Sequence, residues 1–223
     1  MLGISIGSVH KIVGDDKDRN EYIKYIRDCG LKFNAIELNS TDSDFILSDE
    51  NRDYLDTMKH VSIHMPVVDY DFWKVLQQYD FKYWVGHSDV NYNDEDLIEI
   101  EDDDIMLIEN LDAETLLKIP ENYFNELIEN FDICFDISHE LSKGLDLCKF
   151  NLAMYKDKIK EIHISGYNKK CHVPFYYGTL LEIAESLKRN NLLELPIIME
   201  YNFDNLEEME HEYNLLKETL CIK

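Results

Sequence analysis

The sequence predicts a (β/α)8 barrel, and three observations lead there. Eight short apolar runs recur along the chain, amphipathic segments separate them, and six consecutive runs end in His, Asp or Glu. Short apolar strands alternating with helical patterns are expected of a parallel sheet covered by helices.

The predicted strands are Leu2–Ile6, Asn34–Leu38, Val61–His64, Tyr83–His87, Ile105–Glu109, Ile133–Asp136, Glu161–Ile164 and Pro196–Glu200. Between them, apolar residues at three- and four-residue spacing predict helices over Asp18–Cys29, Glu50–Lys59, Tyr70–Gln78, Asn122–Asn130, Glu140–Tyr155, Thr179–Asn190 and Asn205–Leu220. The fourth connection, Asp89 to Asp104, is too acidic to assign. Its Asp94–Asp104 stretch has eight carboxylates in eleven positions and reads as a solvated loop or short helix. No linker-like tract interrupts the pattern, so residues 1–223 are expected to form one domain. Such barrels usually need about 250 residues, so about 28 per unit leaves little room for insertions. Periodicity alone does not show closure, and a doubly wound open sheet is the alternative fold.

Composition limits the partners. Asp and Glu number 46 against 22 Lys and Arg, a formal charge of −24 that would repel a phosphate backbone. Lys156, Lys158, Lys160, Lys169 and Lys170 are too dispersed to offset it, so a small-molecule substrate is expected rather than nucleic acid. Five cysteines without a C-x-x-C pair fit a reducing cytoplasm. No apolar stretch approaches the roughly 18 residues needed to span a bilayer, so no membrane association is expected. Oligomeric state is left open.

The six polar strand ends carry the chemistry. They are His64, His87, Glu109, Asp136 with His139 close behind, His163 and Glu200. Parallel strands of a closed barrel bring their C-terminal ends to one rim, so these side chains should converge. Several uncompensated polar groups in one mouth are costly, and a shared cation removes that cost. Mixed imidazole and carboxylate ligands suit zinc, manganese or iron. His172, on the seventh loop, is a further candidate ligand. Glu37, closing Ala35-Ile36-Glu37-Leu38, is a candidate for holding a substrate hydroxyl, with a structural rim role the alternative. His10, His60 and His211 lie off the strand ends and read as surface or packing residues. Trp84, Tyr167, Phe175, Tyr176 and Tyr201 are candidate aromatic lining for a sugar-binding mouth.

In order, His64-x-Pro66, His87, Glu109-Asn110, Phe135-Asp136-x-x-His139, His163-x-Ser165, His172-x-Pro174 and Glu200 resemble the xylose-isomerase-like TIM barrels. That superfamily joins sugar isomerases and epimerases to the endonuclease-IV-like apurinic/apyrimidinic endonucleases of AP endonuclease family 2. The resemblance implies a shared metal shell of Glu109, Asp136, His163 and Glu200. In the nuclease branch it further implies a second metal on His64 and His87 bridged by Glu109, and a third held partly by His139 and His172. That branch carries an Asp two residues before the His of the seventh loop, where this chain has Lys170. A lysine cannot ligate a cation in that way, although it can meet a substrate phosphate.

Two functions follow. The first is an isomerase or epimerase of a small sugar, sugar phosphate or polyol, working through a metal-stabilised enediolate. Glu109 and Glu200 would exchange protons, and His139 would hold a substrate oxygen. The second is a metal-dependent phosphoesterase with a multinuclear zinc or manganese site. One to three cations per chain cover both readings. Ligand binding without turnover is a third.

Overall fold

The computed structural model describes residues 1–39, 45–65, 77–87, 106–118 and 123–222. Its eight strands are β1 (Leu2–Ser5), β2 (Ala35–Asn39), β3 (His60–Met65), β4 (Tyr83–His87), β5 (Met106–Glu109), β6 (Asp132–Asp136), β7 (Ile159–Ile164) and β8 (Ile197–Met199). Each pairs in parallel with its sequence neighbour and β8 returns to β1, so the sheet closes and the open-sheet alternative falls. The molecule is a (β/α)8 barrel.

The helices of the described residues are α1 (His10–Val13), α2 (Arg19–Asp28), α3 (Asp49–Leu55), α4 (Ala113–Leu116), α5 (Tyr123–Asn130), α6 (Ile137–Lys143), α7 (Leu145–Met154), α8 (Tyr177–Arg189) and α9 (Leu206–Leu220). Their starts are chemically marked. Asp18, Ser48, Asp112, Asp136 and Asn205 each accept backbone N–H bonds of the first turn, satisfying donors that have no intrahelical partner. The segment expected as one helix over Glu140–Tyr155 is two, because Gly144 adopts φ 121°, ψ 147° and ends α6. Apolar spacing continues across that break, so periodicity alone did not expose it. The predicted helix over Tyr70–Gln78 falls largely outside the described residues, and the Asp94–Asp104 stretch wholly so.

Alternation along each strand divides the side chains between two environments. Outward residues such as Ile4, Ile36, Ile63, Trp84, Ile108, Phe135, Ile162 and Met199 pack with Ile23, Leu152, Leu180, Ile183 and Leu216 of the helices in the main apolar core. Trp84 therefore belongs to packing, not to a ligand mouth. Inside the barrel the apolar filling is small: Val85, Leu107 and Cys134, with Tyr83 against them, and Ile198 beside Gly3. Gly3 makes room there, since a Cβ at that position would lie 2.7 Å from the Ala35 carbonyl oxygen and from Ile198 Cδ1. Most of the remaining interior is polar.

Candidate metal centre

Four strand ends deliver Glu109, Asp136, His163 and Glu200 to one place, with ligand atoms all within 4.8 Å of one another. Glu109, Asp136 and His163 are buried, while the Glu200 side chain keeps 18% of its exposure. His163 Nδ1 lies 3.0 Å from Glu109 Oε1 and 2.9 Å from Glu200 Oε2. Bonds of about 2.0–2.2 Å at right angles separate neighbouring ligands by about 3 Å, so these spacings suit one cation. Among the described residues, Asp136 Oδ2 is buried and makes no hydrogen bond, and Glu200 Oε2 is buried with the His163 ring 2.9 Å from it. Buried polar atoms are rarely left unbonded, and a cation between these two would satisfy both.

Local sequence explains the aim of each group. Asp136 spends Oδ1 on capping α6, accepting from the His139 N–H at 2.6 Å and the Ser138 hydroxyl at 2.9 Å, which turns Oδ2 toward the centre. Asn110 locks that strand end: its amide accepts from the Asp136 N–H at 2.7 Å and donates to the Asp136 carbonyl at 2.9 Å. Asn110 follows Glu109 in the chain, and nothing in its sequence position marks this task. His139 is fixed through Nδ1 on the Asn110 carbonyl, 2.8 Å away.

His172 comes from a loop pinned by a two-residue antiparallel bridge, Gly166 to Val173. Its φ of 59° is a left-handed conformation that a non-glycine residue seldom adopts, and its Nδ1 lies 3.2 Å from the Glu200 carbonyl oxygen. Asp136, His139 and His172 form a second group of ligand atoms within 4.8 Å of one another, and His64, His87 and Glu109 a third. In the latter, His64 Nε2 and His87 Nε2 are 2.9 Å apart, and Glu109 Oε2 lies 3.5 Å and 3.4 Å from them. Lys170 is exposed on the His172 loop, close enough to Asp204 to favour that carboxylate's charge.

Without a cation the histidines serve as the counter-charges. Burial works against a charged His64 but Glu37 and Glu109 outweigh it and hold its pKa well above the ordinary value. His163 is raised likewise, burial being overcome by Cys134, Glu37 and Glu200. For His139, burial is opposed by Asp136 and Glu109, with a resulting pKa of about 9. Burial pushes Asp136 up, whereas His172 and His163 overcome burial and hold Glu200 below the usual carboxylate range.

Below this layer lies a second one that strand-end reading missed. Glu161 is fully buried, bonds the His60 ring through Oε2 and accepts from the Ser62 hydroxyl at 3.0 Å through Oε1. Inward parity was the available signal, since residues 60, 62 and 64 share one side of β3, as 161 and 163 share one side of β7. His60 is thus a packing residue with a charged partner. A polar cavity of about 360 Å³ opens beside Glu200, lined among others by Ser5, His10, Arg19, Asn39, His172 and Asn202. Tyr201 reaches it too, while Phe175 is buried elsewhere in the core and Tyr176 is mostly exposed.

No family model and no curated protein matches the sequence. Among solved structures, a D-psicose 3-epimerase with D-tagatose from Clostridium cellulolyticum H10 aligns at a TM-score of 0.49 and 11% identity, covering 99% of this chain and 96% of that one. A protein from Pseudomona aeruginosa, assigned provisionally as an aldo-keto reductase, aligns at 0.47 and 13% identity over 98% and 90%. The fold assignment rests on the closed strand topology itself.

Proposed function

We propose that this chain is a divalent-metal-dependent isomerase or epimerase of a small sugar, sugar phosphate or polyol. The observation that carries the reading is the convergence of Glu109, Asp136, His163 and Glu200 beside the polar cavity. Zinc or manganese, one to three per chain, suits the donors, with these four residues the first site. Bound there, a divalent cation would supply Lewis-acid polarisation of a substrate carbonyl.

The chain's own groups do the rest. Glu200, which borders the cavity, would take a proton from a substrate carbon, while Glu109, whose Oε1 lies 3.0 Å from the same His163 Nδ1 that Glu200 approaches, would return one. His139 has Nδ1 tied to a carbonyl, so Nε2 is the nitrogen left to hold a substrate oxygen. Asn39, Ser5 and Asn202 offer neutral partners for hydroxyl groups, and Lys170 is kept for a phosphate at the rim. The reading takes the chain as one cytoplasmic domain.

The test is solvent exchange. Protein loaded with Mn²⁺ or Zn²⁺ is incubated in D₂O with a panel of ketoses, ketose phosphates and polyol-derived ketones. Deuterium should enter at the carbon beside the carbonyl, and a panel with no incorporation above the Glu200→Gln background would end the proposal.

The His64, His87 and Glu109 group favours the second reading, a phosphoesterase with paired cations sharing Glu109. Hydrolysis of bis(p-nitrophenyl) phosphate, with two or three metals per chain by elemental analysis, would place it first. One metal per chain favours the isomerase.

A further inference from the structure

Resting on the metal reading above, we infer that Glu37 is the positioning residue of the cation site, a single carboxylate behind the imidazoles of His163 and His64. The expected strand ended at Leu38, which put Glu37 at the rim, but β2 runs on to Asn39. Inward positions recur every second residue, so Asn39 takes the place at the cavity and Glu37 lies one inward position deeper. It is fully buried. A substrate hydroxyl would have to pass the histidines to reach it.

Glu37 meets the Nε2 edge of His163 and, closer than Glu200 Oε1 at 3.9 Å, the Nδ1 edge of His64. Its Oε2 accepts from His163 Nε2–H at 2.8 Å, which leaves Nδ1 as the nitrogen facing Glu109 and Glu200. Its Oε1 lies 3.7 Å from His64 Nδ1, and both atoms are buried without a hydrogen bond among the described residues. A shift of about 0.7 Å would join them at an ordinary bonding distance. That arrangement turns His64 Nε2 toward His87 and Glu109. The other carboxylate near His163 Nε2 is Glu161, at 3.5 Å, and it is engaged by His60 and Ser62. Glu37 is therefore the acceptor that selects the His163 tautomer. A carboxylate behind a ligating imidazole fixes the ring and strengthens its donor nitrogen, and losing such a partner typically weakens metal binding about 10–100-fold.

The experiment uses metal-free full-length protein titrated with Mn²⁺ or Zn²⁺ by calorimetry and chelator competition. Folding is checked by circular dichroism, and ¹⁵N-histidine spectra at saturating Zn²⁺ report tautomers, with His163 assigned by its loss in His163→Gln. Glu37→Leu, which removes the acceptor, should bind about 10–100-fold more weakly and lose the Nε2–H pattern of His163. Glu37→Gln keeps an acceptor oxygen without the charge and should recover part of the affinity and the tautomer. Wild-type affinity with an unchanged His163 spectrum in folded Glu37→Leu would overturn the inference while leaving the metal reading intact. Should Glu37→Leu not fold, wild-type affinity in Glu37→Gln would overturn it equally. A wild-type protein that takes up neither cation would overturn the metal reading and this inference together.

Discussion

At the scale of single residues, candidate ligands are held by partners outside the centre, His139 by the Asn110 carbonyl and His163 by Glu37. A strand-end pattern does not mark groups that act from inside a strand. Glu161 opens the predicted seventh strand and His60 precedes the predicted third, so neither stood at an end, although both share inward parity with a candidate ligand. The ligand assignment makes a direct prediction. Glu200→Gln and His163→Ala should each lower cation affinity at least tenfold, since ligand loss should weaken binding no less than the roughly 10–100-fold typical of outer-shell changes. Lys170→Ala should leave it unchanged; calorimetry on metal-free protein decides. A second prediction concerns pH. In metal-free protein His139 titrates near 9 when folded and near 6.5 when unfolded. Its contribution is fully present below the unfolded value and disappears as pH rises through the folded one, so stability from this group falls across that window. The loss is on the order of 3 kcal/mol. Urea midpoints at the two ends of the window should differ more in wild type than in His139→Gln, and equal differences would refute it.

At the scale of elements, all eight strands were legible within a residue or two because each carries short apolar runs or alternation, with outward-facing Ile, Leu, Val, Phe or Trp recurring at every second position. Helix ends were less so. The α6–α7 break depends on one backbone conformation at Gly144, which leaves apolar spacing undisturbed. The join between β5 and β6 was not legible either, because its reciprocal amide bonds link residues 26 apart in sequence. Removing them with Asn110→Ala leaves the buried Asp136 N–H and carbonyl without this partner. The expected loss is about 1–3 kcal/mol by chemical denaturation, together with weaker cation binding as Asp136 turns away. Unchanged stability and affinity would show that β6 is held by its neighbours alone.

At the scale of the whole molecule, the charge of −24 and the buried carboxylates make two expectations. Abasic and duplex DNA should bind poorly at physiological salt, for want of cations to replace counterions at phosphates, and a tight salt-sensitive gel shift would contradict this. A saturating divalent cation should stabilise the fold by about 2.7 kcal/mol at a hundredfold excess over Kd, seen as a rise in Tm that chelator reverses. The eightfold alternation was readable along the chain, but closure was not, because it joins β1 to β8 from opposite ends of the sequence. The Ser8 hydroxyl stitches that seam, donating to the Met199 carbonyl at 3.2 Å and accepting from the Tyr201 N–H at 2.9 Å, across 191 and 193 residues. Contacts of such separation carry the largest loop-closure entropy and tend to form late. Glu200 lies directly beside the seam, so the fourth donor arrives only when the ring shuts. Uptake of a cation during refolding should therefore keep time with the last step of assembly, and a chelator-competition signal trailing the Trp fluorescence change would mark when the barrel closes.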